Sequence, residues 1–308
     1  METVDIILSS YNGERYIKEQ ISSILENTWK DWRLWVCDDG SQDGTEGIVK
    51  ELEAQYPDKI FWRPNETNKG AAISFLDGAR KATGDYVMFC DQDDFWLPGK
   101  IEDTVAFMKA SEQQYGKEMP LTVFTDAKVV DQDLNVMQES FHKSSRLDTT
   151  KLDLPHMLME NKMMGCTMMV NRALLQRLER FPKKVRMHDW WVGIVAASYG
   201  KILYLNKPTM LYRQHGSNVV GSIEFSKETV MEKASTWRKQ KQALLDTQTQ
   251  AGSLYQLVQN DLEEDKKRII HVFASLQKKN WIKRRIQIVR YRFWKSGIIR
   301  NIGILLFI

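Results

Sequence analysis

The feature that most constrains the fold is an alternation of strand-like and helix-like segments over the first two hundred residues. Short apolar runs at residues 4–9, 33–37 and 86–90 each end in a polar cluster, and stretches with apolar residues at helical spacing lie between them. This pattern predicts βαβ units, in which helices cover a mostly parallel sheet. A chain of 308 residues, 43% of them hydrophobic, can bury the core that such a fold requires.

The remaining segments can be assigned by the same periodicities. Further strands are predicted at residues 59–62, 121–125, 128–136, 167–170 and 201–205. Residues 131–133 are the predicted turn of the pair 121–125 and 128–136. Helices are predicted at residues 16–25, 45–55, 68–82, 152–160, 172–179 and 189–199. Strand signals vanish after about Gly221. We therefore expect an α/β domain at residues 1–221 and a helical region at residues 222–308, broken near Gly252.

Composition and the chain ends narrow the class of protein. The 27% of charged residues and the 43% of hydrophobic residues exclude wholesale disorder and a coiled-coil rod. The three cysteines, Cys37, Cys90 and Cys166, are too few and too scattered for a disulfide framework or a zinc site, which favours a reducing compartment. We expect neither a signal peptide before the first strand nor a transmembrane helix.

Polar clusters follow three of the predicted strands, at residues 9–12, 38–41 and 91–94. Ligands of open α/β sheets bind beyond the carboxyl ends of the strands, so these clusters are expected to share one rim. On extended backbone, Asp91 and Asp93 point the same way, and two close carboxylates repel each other unless a cation lies between them. Mg²⁺ or Mn²⁺ beside a phosphate suits such oxygen ligands. An acidic turn without a ligand is the alternative.

Two later motifs have a structural and a functional interpretation. In the motif at residues 188–191, Asp189 either caps a helix or acts as a general base, while Trp190 and Trp191 are either core residues or a stacking platform for a sugar ring. Arg213 and His215 either belong to a polar surface loop or bind phosphate and complete a metal shell.

Taken together, the motifs resemble those of glycosyltransferase family 2, in spacing as well as in residue type. The matching segments are SSYN at 9–12, DDGSQDGT at 38–45, NKG at 68–70, GDY at 84–86 and DQDD at 91–94. Later segments, at 165–166, 188–191 and 212–215, resemble the bacterial rhamnosyltransferase branch that builds cell-wall or capsular polysaccharide. The resemblance covers about residues 1–220.

This resemblance implies the GT-A fold, a nucleotide-binding α/β sandwich, and inversion at the anomeric carbon in one displacement. It implies a metal, Mg²⁺ or Mn²⁺, held by Asp93 and His215, and a catalytic base at Asp189. Acceptor contacts fall on Trp190 and Trp191. Donor-binding roles fall on Ser9, Tyr11, Asn12, Asp39, Lys69, Asp91 and Arg213, with Tyr11 stacked on the nucleobase, Asp39 at the pyrimidine edge and Asp91 near the ribose.

The leading hypothesis is therefore a metal-dependent inverting glycosyltransferase that moves L-rhamnose from dTDP-L-rhamnose to a lipid-linked glycan. The same chemistry with a UDP-hexose donor is the nearest alternative, because the motif residues do not fix the shape of the donor pocket. A nucleotidyltransferase would also use paired aspartates and a metal, but it would release pyrophosphate. A membrane adaptor that lost activity is a fourth hypothesis, which the intact aspartates disfavour.

The end of the chain is basic. Residues 266–308 contain twelve Lys and Arg and no Asp or Glu. At helical spacing, Ile282, Ile286, Val289 and Phe293 share one stripe, which is typical of an amphipathic helix lying in a membrane interface. We expect peripheral attachment to an anionic membrane, at the cytoplasmic face. Alternatively, the stripe packs on the α/β domain or on a second subunit in a homo-oligomer. Nucleic acid is not expected as a partner, because the rest of the chain is acidic.

Overall fold

The computed structural model describes residues 2–215, 230–258 and 260–307. Its first seven elements follow the predicted alternation, with boundaries that differ from prediction by at most three residues. They are β1 (Val4–Ser10), α1 (Ile17–Leu25), β2 (Trp32–Asp38), α2 (Thr45–Gln55), β3 (Ile60–Pro64), α3 (Ala71–Lys81) and β4 (Tyr86–Cys90).

The middle of the chain adds five strands and five helices among the described residues. They are β5 (Phe95–Trp96), α4 (Lys100–Tyr115), β6 (Leu121–Val130), β7 (Val136–Gln138), α5 (Phe141–Ser144), α6 (Leu154–Met159), β8 (Met168–Asn171), α7 (Arg172–Arg177), α8 (His188–Tyr199) and β9 (Lys201–Arg213). A short 3₁₀ turn, Gly165–Thr167, leads into β8. The C-terminal part contains α9 (Val230–Val258), α10 (Glu264–Ala274), α11 (Trp281–Arg290) and α12 (Ile298–Phe307), with a 3₁₀ turn at Leu276–Lys278.

All the described strands form one sheet, in the order β3-β2-β1-β4-β8-β6-β9-β5, with β7 paired to β6. The first half is parallel, as predicted, because β1 pairs in parallel with both β2 and β4, and β2 with β3. Beyond β4 the sheet is mixed: β8 is antiparallel to β4 and β6, whereas β9 is parallel to β6. The predicted α/β architecture is confirmed, with a sheet that is parallel only in its first half.

Two apolar cores cover the two faces of the sheet. Every residue of β1 is buried, so its side chains alternate between them: Ile7 packs into one core, and Ile6 and Leu8 into the other. Helices α1, α2 and α4 cover the second face. The first face is covered by α3, α6, α7 and α8, and it also receives apolar residues of α9 to α12. The described C-terminal helices therefore extend the core of the α/β domain. The predicted domain boundary at residues 221/222 lies outside the described residues.

Three predicted boundaries are wrong. Residues 121–125 and 128–136 do not form two strands, because β6 runs unbroken through Asp126 and the turn begins at Asp131. Strand β9 continues past residue 205 to Arg213, where β6 and β5 flank it. Gly252 does not break a helix. It lies inside α9, where a side chain at that position would meet Ala274 of α10 at 3.9 Å, an ordinary van der Waals distance.

The sequence patterns also missed helix α4, whose apolar residues are diluted by charged ones along its exposed face. In addition, no helix in the described part of the chain is long and apolar enough to cross a lipid bilayer.

Candidate active site

The predicted rim forms at the carboxyl ends of β1, β2 and β4. Asp38, at the end of β2, accepts hydrogen bonds from the Ser10 hydroxyl (2.9 Å) and from the amides of Gly40 and Ser41. Its carboxylate folds the chain back at residues 38–41 and ties that turn to β1. Gly40 has φ +88°, a left-handed conformation that glycine adopts without strain.

Asp39 is buried and organises the loop that precedes α3. Its Oδ1 accepts from the Asn65 side chain and the Lys69 amide, both at 2.9 Å, and its Oδ2 accepts from the Gly70 amide at 2.7 Å. The Lys69 side chain turns away into an ion pair with Asp77 (2.9 Å). Binding of a pyrimidine edge by Asp39 stays a prediction. In this conformation the carboxylate holds the 65–70 loop in place.

Gln92 is a rim residue for which the sequence motifs predicted no role. Its side-chain amide pairs with the backbone of Tyr11: Oε1 accepts from the Tyr11 amide (2.9 Å) and Nε2 donates to the Tyr11 carbonyl (3.1 Å). A side chain at Gly13 would come within 2.3 Å of Gln92 Oε1, so it would displace the Gln92 amide from Tyr11. The Tyr11 ring is half exposed and its backbone is fixed, which suits a stacking platform. The signal available in sequence was the position of Gln92 between two motif aspartates.

Asn12 and Ser9, which were also predicted to bind the donor, lie at the same rim. Asn12 has φ +49°, and its side-chain oxygen accepts from the Gln42 amide (2.8 Å) while its own amide donates to the Ser41 hydroxyl (2.9 Å). Asn12 thus joins the two rim loops. Ser9 is buried at the end of β1, one residue before the rim turn.

The end of β9 is tied to residues 93–94. The His215 ring lies with Nε2 at 2.8 Å from Asp93 Oδ2 and stacks on Tyr16. The Arg213 amide donates to Asp94 Oδ1 (3.1 Å). Asp93 and His215, predicted as metal ligands from sequence positions 122 residues apart, are therefore brought together.

Arg213 differs from the prediction of direct donor binding. Its guanidinium is buried and bonded to protein groups: Nε donates to the Asp93 carbonyl (2.9 Å), Nη1 to the Gln132 carbonyl (2.6 Å), and Nη2 to the Glu19 carboxylate. Since these donors are engaged within the protein, Arg213 positions the loop that carries Asp93.

Trp190 and Trp191 correct the predicted acceptor platform. Trp191 is wholly buried, and Trp190 is nearly so, with its indole N–H donating to the Met157 carbonyl (2.6 Å). Both belong to the core beneath α8, because an apolar helix packed on the sheet must bury nearly all of its circumference. Neither ring is available to stack on a sugar.

Asp189 lies in the first turn of α8 and is buried beside the rim. It does not cap the helix, whose N-cap position is Met187. Its Oδ1 accepts from the Trp190 amide (2.6 Å) and its Oδ2 from the Asn161 side chain (2.9 Å). Burial raises the pKa of Asp189 to about 6, although these hydrogen bonds act in the opposite direction. A carboxyl group that ionises near neutral pH suits a general base.

The Asp91 carboxyl lies within reach of the charges of two other aspartates. Burial, followed by the charges of Asp93 and Asp189, raises the pKa of Asp91 to about 7. Uncompensated negative charge at one rim favours the arrival of a cation. The neighbouring His188 does not supply that charge, because burial lowers its pKa to about 3 and keeps the imidazole neutral.

The family likeness implies a divalent metal, and two groups of side chains in the described residues offer ligands. Asp91, Asp94 and Cys166 lie within 4.8 Å of one another, but burial raises the pKa of the Asp94 carboxyl and of the Cys166 thiol well above their usual values. Protonated groups of that kind are poor ligands for a hard cation. Asp93 and His215 are both partly exposed, and they offer one oxygen and one nitrogen that fit Mn²⁺ or Mg²⁺ with water and phosphate oxygens completing the shell.

The first part of the chain matches a known protein family. Residues 5–117 match the family Glycosyl transferase family 2. The matched segment contains β1 to β4 and the rim loops up to residue 94. This segment, about a third of the chain, is similar to glycosyltransferase family 2.

Similar proteins extend the likeness beyond the matched segment. The dTDP-rhamnosyl transferase RfbG of Shigella flexneri is 28% identical over 230 residues, which are 70% of this chain and 74% of RfbG. The glucosyltransferase WfgD of Escherichia coli, named for a UDP-Glc donor and an α-D-GlcNAc-diphosphoundecaprenol acceptor, is 39% identical over 105 residues. That alignment spans 34% of this chain and 40% of the length of WfgD.

Solved structures agree on the fold. The mannosyltransferase PcManGT of Pyrobaculum calidifontis, solved in complex with GDP-Man and Mn²⁺, superimposes with a TM-score of 0.56 at 17% identity. The superposition covers 99% of this chain and 79% of that one. At this identity the likeness concerns the GT-A fold.

Proposed function

We propose that the chain is a metal-dependent, inverting glycosyltransferase that moves a sugar from a nucleoside diphosphate to a hydroxyl group of a saccharide acceptor. The observation that carries the proposal is the position of Asp91 and Asp93 directly after β4, with His215 Nε2 2.8 Å from Asp93 Oδ2 and with Asp189 near enough for its charge to act on Asp91. The residues that would hold the metal on the diphosphate then lie near one carboxylate that can act as base for the acceptor. A one-step displacement requires these two kinds of group.

In this proposal the rim binds the donor through its ordered loops. The exposed Tyr11 ring stacks on the nucleobase, and Asp39 meets the base edge from the loop that it organises. Asp93 and His215 hold the metal, which when bound offsets the charge of the diphosphate and of the leaving group. Arg213 holds the Asp93 backbone carbonyl, so the carboxylate is presented at a fixed position.

Asp189 is the proposed base. An acceptor hydroxyl is a poor nucleophile, so a carboxylate must take its proton as the bond to the anomeric carbon forms. The bond to the diphosphate breaks on the opposite side of the sugar, which inverts the configuration. A pKa near 6 leaves Asp189 mostly ionised at neutral pH, yet basic enough to accept the proton.

The donor and acceptor are narrower proposals. The likeness to RfbG over 70% of this chain supports dTDP-L-rhamnose as donor. The likeness to WfgD, which is higher but confined to 34% of this chain, keeps a UDP-hexose as the alternative. The name of WfgD includes a diphosphoundecaprenol acceptor, which supports a lipid-linked saccharide and a role in bacterial polysaccharide synthesis.

A donor screen tests the proposal. The purified chain is melted with Mn²⁺ and each of dTDP-L-rhamnose, UDP-glucose, UDP-galactose and GDP-mannose, because a bound donor raises the melting temperature by mass action. We expect one donor to stabilise the wild type and not Asp93→Ala. Turnover of that donor should release a nucleoside diphosphate and give a product with inverted anomeric configuration. Release of pyrophosphate, or retained configuration, would contradict the proposal.

We further propose that the chain works at an anionic membrane, through a surface of helices α11 and α12. Of the 13 large apolar side chains that are exposed in the described part of the chain, eight lie on this surface. We call it the C-terminal apolar face. It consists of Trp281, Ile282, Ile286, Val289, Ile298, Ile299, Ile302 and Leu306.

The geometry of this face differs from the stripe predicted from sequence. Phe293 is wholly buried against Phe273 (ring centroids 5.0 Å apart), so it does not belong to the exposed surface. Helix α12 replaces it, with Ile298 and Ile299 exposed by 79% and 83%. Arg285 joins the two helices by donating to the Leu306 carbonyl (3.2 Å) while its guanidinium lies 3.6 Å from the Trp281 ring.

Charge argues for lipid as the occupant of this face. Residues 266–308 contain twelve basic and no acidic residues, and each basic residue near an anionic surface contributes about 1 kcal/mol to binding. A second copy of this chain would bring a like-charged surface to the same place. A peripheral position at the inner face of the cell membrane also suits a lipid-linked acceptor.

A further inference from the structure

The side-chain amide of Asn161 is hydrogen-bonded to Asp189, the proposed base. Asn161 Nδ2 donates to Asp189 Oδ2 at 2.9 Å, and Asn161 Oδ1 accepts from the Met163 amide at 3.2 Å. The second bond fixes which end of the amide faces the carboxylate, because only a carbonyl oxygen can accept from a backbone N–H. Asn161 therefore presents an N–H donor to Asp189 in a defined orientation.

We infer that Asn161 is a positioning residue for the transfer reaction, which holds the Asp189 carboxylate in place and favours its ionised form. The inference rests on the proposed role of Asp189 as base, and it goes beyond that role by naming what sets its orientation. Asp189 is buried and has two oxygens to satisfy. The Trp190 amide serves one of them, and Asn161 serves the other.

The backbone around Asn161 is anchored on both sides. Glu160 accepts from the Ser296 amide (2.7 Å) and from Arg300 Nη1 (3.1 Å), both from the C-terminal segment that forms α12 and its approach. The Lys162 carbonyl lies 3.0 Å from His142 Nε2. The segment that carries Asn161 is thus fixed by the C-terminal helices before it and by α5 after it.

The His142 ring is itself held by a buried carboxylate. His142 Nδ1 lies 2.9 Å from Asp126 Oδ1, and both residues are buried. Burial acts to raise the pKa of Asp126, but hydrogen bonds from His142 and Ser140 outweigh it and bring the pKa to about 2.

The charged and titratable groups that face Asp189 are few. Asp91, at the end of β4, carries like charge, whereas His188, on the helix of Asp189, is neutral because burial lowers its pKa to about 3. The amides of Trp190 and Gly165 and the Asn161 side chain favour the ionised carboxylate. Removing Asn161 takes away the side-chain donor among them, so the pKa of Asp189 should rise.

The test is a carboxyl titration by NMR of protein labelled with ¹³C at the aspartate side chains, which needs no knowledge of the donor. The Asp189 signal is assigned by its loss in Asp189→Asn. We expect its midpoint near pH 6 in the wild type and about one unit higher in Asn161→Ala, since a hydrogen bond to a charged group is worth about that much. Asn161→Asp, which is isosteric, should raise the midpoint further by adding like charge.

Asn27→Ala is the matched control. Asn27 is also buried and also makes two hydrogen bonds, from Nδ2 to the Ser23 carbonyl (3.0 Å) and to Oδ1 from the Ile101 amide (3.1 Å), but at the junction of α1 and α4. Its replacement should lower the melting temperature and leave the Asp189 midpoint unchanged.

Two outcomes separate this inference from the proposed function. If the midpoint is the same in wild type, Asn161→Ala and Asn161→Asp, then Asn161 does not position Asp189, whatever Asp189 does. If Asp189→Asn turns over normally, the assignment of the base is wrong and the inference is lost with it. An upward shift in both Asn161 variants, together with an inactive Asp189→Asn, supports the inference.

Discussion

The rim of the sheet and the C-terminal apolar face bind their proposed ligands in opposite ways. At the rim, most polar groups already have partners within the protein, as Asp39 and Arg213 illustrate, and a few carboxylates are left close together. On the C-terminal face, eight large apolar side chains lie in water. The rim is prepared by hydrogen bonds for one small charged ligand, whereas the face offers area and charge to an extended surface.

The comparison also concerns how tightly each region specifies its partner. A site of fixed donors and acceptors is sensitive to single atoms, because an unpaired buried polar group costs about 1–3 kcal/mol. A surface that binds by area and net charge loses affinity gradually as side chains are removed. Single substitutions should therefore have their largest effects on function at the rim.

The largest expected effect is at Asp189. Asp189→Asn keeps the shape of the residue and removes its basicity, so turnover should fall roughly 10²–10⁴-fold, the range typical of a lost general base. Donor affinity, measured by calorimetric titration, should stay close to that of the wild type. A variant that turns over at the normal rate would remove Asp189 from this role and weaken the contrast between the two regions.

Two tryptophans sharpen the comparison through stability. Trp191 on α8 is wholly buried, so Trp191→Ala should lower the free energy of unfolding by about 3–5 kcal/mol. Trp281 is 61% exposed on the C-terminal apolar face, so Trp281→Ala should lower the free energy of unfolding by about 0.5 kcal/mol or less. Denaturant unfolding of the two alanine variants measures the difference. Equal losses would mean that α11 packs against the body more closely than the structure has it.

The next effect concerns vesicle binding. The double variant Ile298→Ser/Ile299→Ser should lower affinity for anionic phospholipid vesicles at least tenfold, that is by about 1.4 kcal/mol or more, because two exposed isoleucines no longer insert. The measurement is co-sedimentation over a range of lipid concentrations.

Val136→Ser/Met137→Ser is the control for that experiment. Both residues are neighbouring, exposed and apolar, but they lie on β7, away from the basic segment. This variant should bind vesicles as the wild type does. Equal binding by both double variants would show that the C-terminal apolar face does not attach the chain to the membrane.

The smallest expected effect is the response of turnover to mild acid. Because the pKa of Asp189 is about 6, its ionised fraction falls from about nine-tenths at pH 7 to half at pH 6. Turnover should therefore drop about twofold over that interval and about fivefold more between pH 6 and pH 5. Initial rates in buffers of constant ionic strength measure this. A rate that stays flat down to pH 5 would contradict a base with this pKa.

Sequence patterns placed the rim well and the packing less well. The motif aspartates Asp39, Asp91 and Asp93 follow strands whose ends are defined by local signals, and parallel neighbours bring those ends together. Asp93 and His215 met as the resemblance implied, although 122 residues separate them. Glycine, asparagine and aspartate at turns carry this information locally.

Burial of individual aromatic rings was less predictable. Trp190, Trp191 and Phe293 are apolar in any interpretation, and a periodic pattern shows which residues share a face but not which neighbour covers it. Gln92 and Asn161 were missed for a related reason. Their roles consist of hydrogen bonds to residues 81 and 28 positions away, which no local pattern encodes.

The central claim is that a divalent cation bound by Asp93 anchors a nucleotide-sugar at the rim. The most direct measurement is calorimetric titration of the wild type and of Asp93→Ala with the donor selected by the melting screen, in Mn²⁺ and again in EDTA. The account predicts that the wild type binds the donor in Mn²⁺ and loses most of that affinity in EDTA, and that Asp93→Ala binds weakly in both. Donor binding of equal strength in EDTA, or an Asp93→Ala variant that binds as the wild type does, would contradict it.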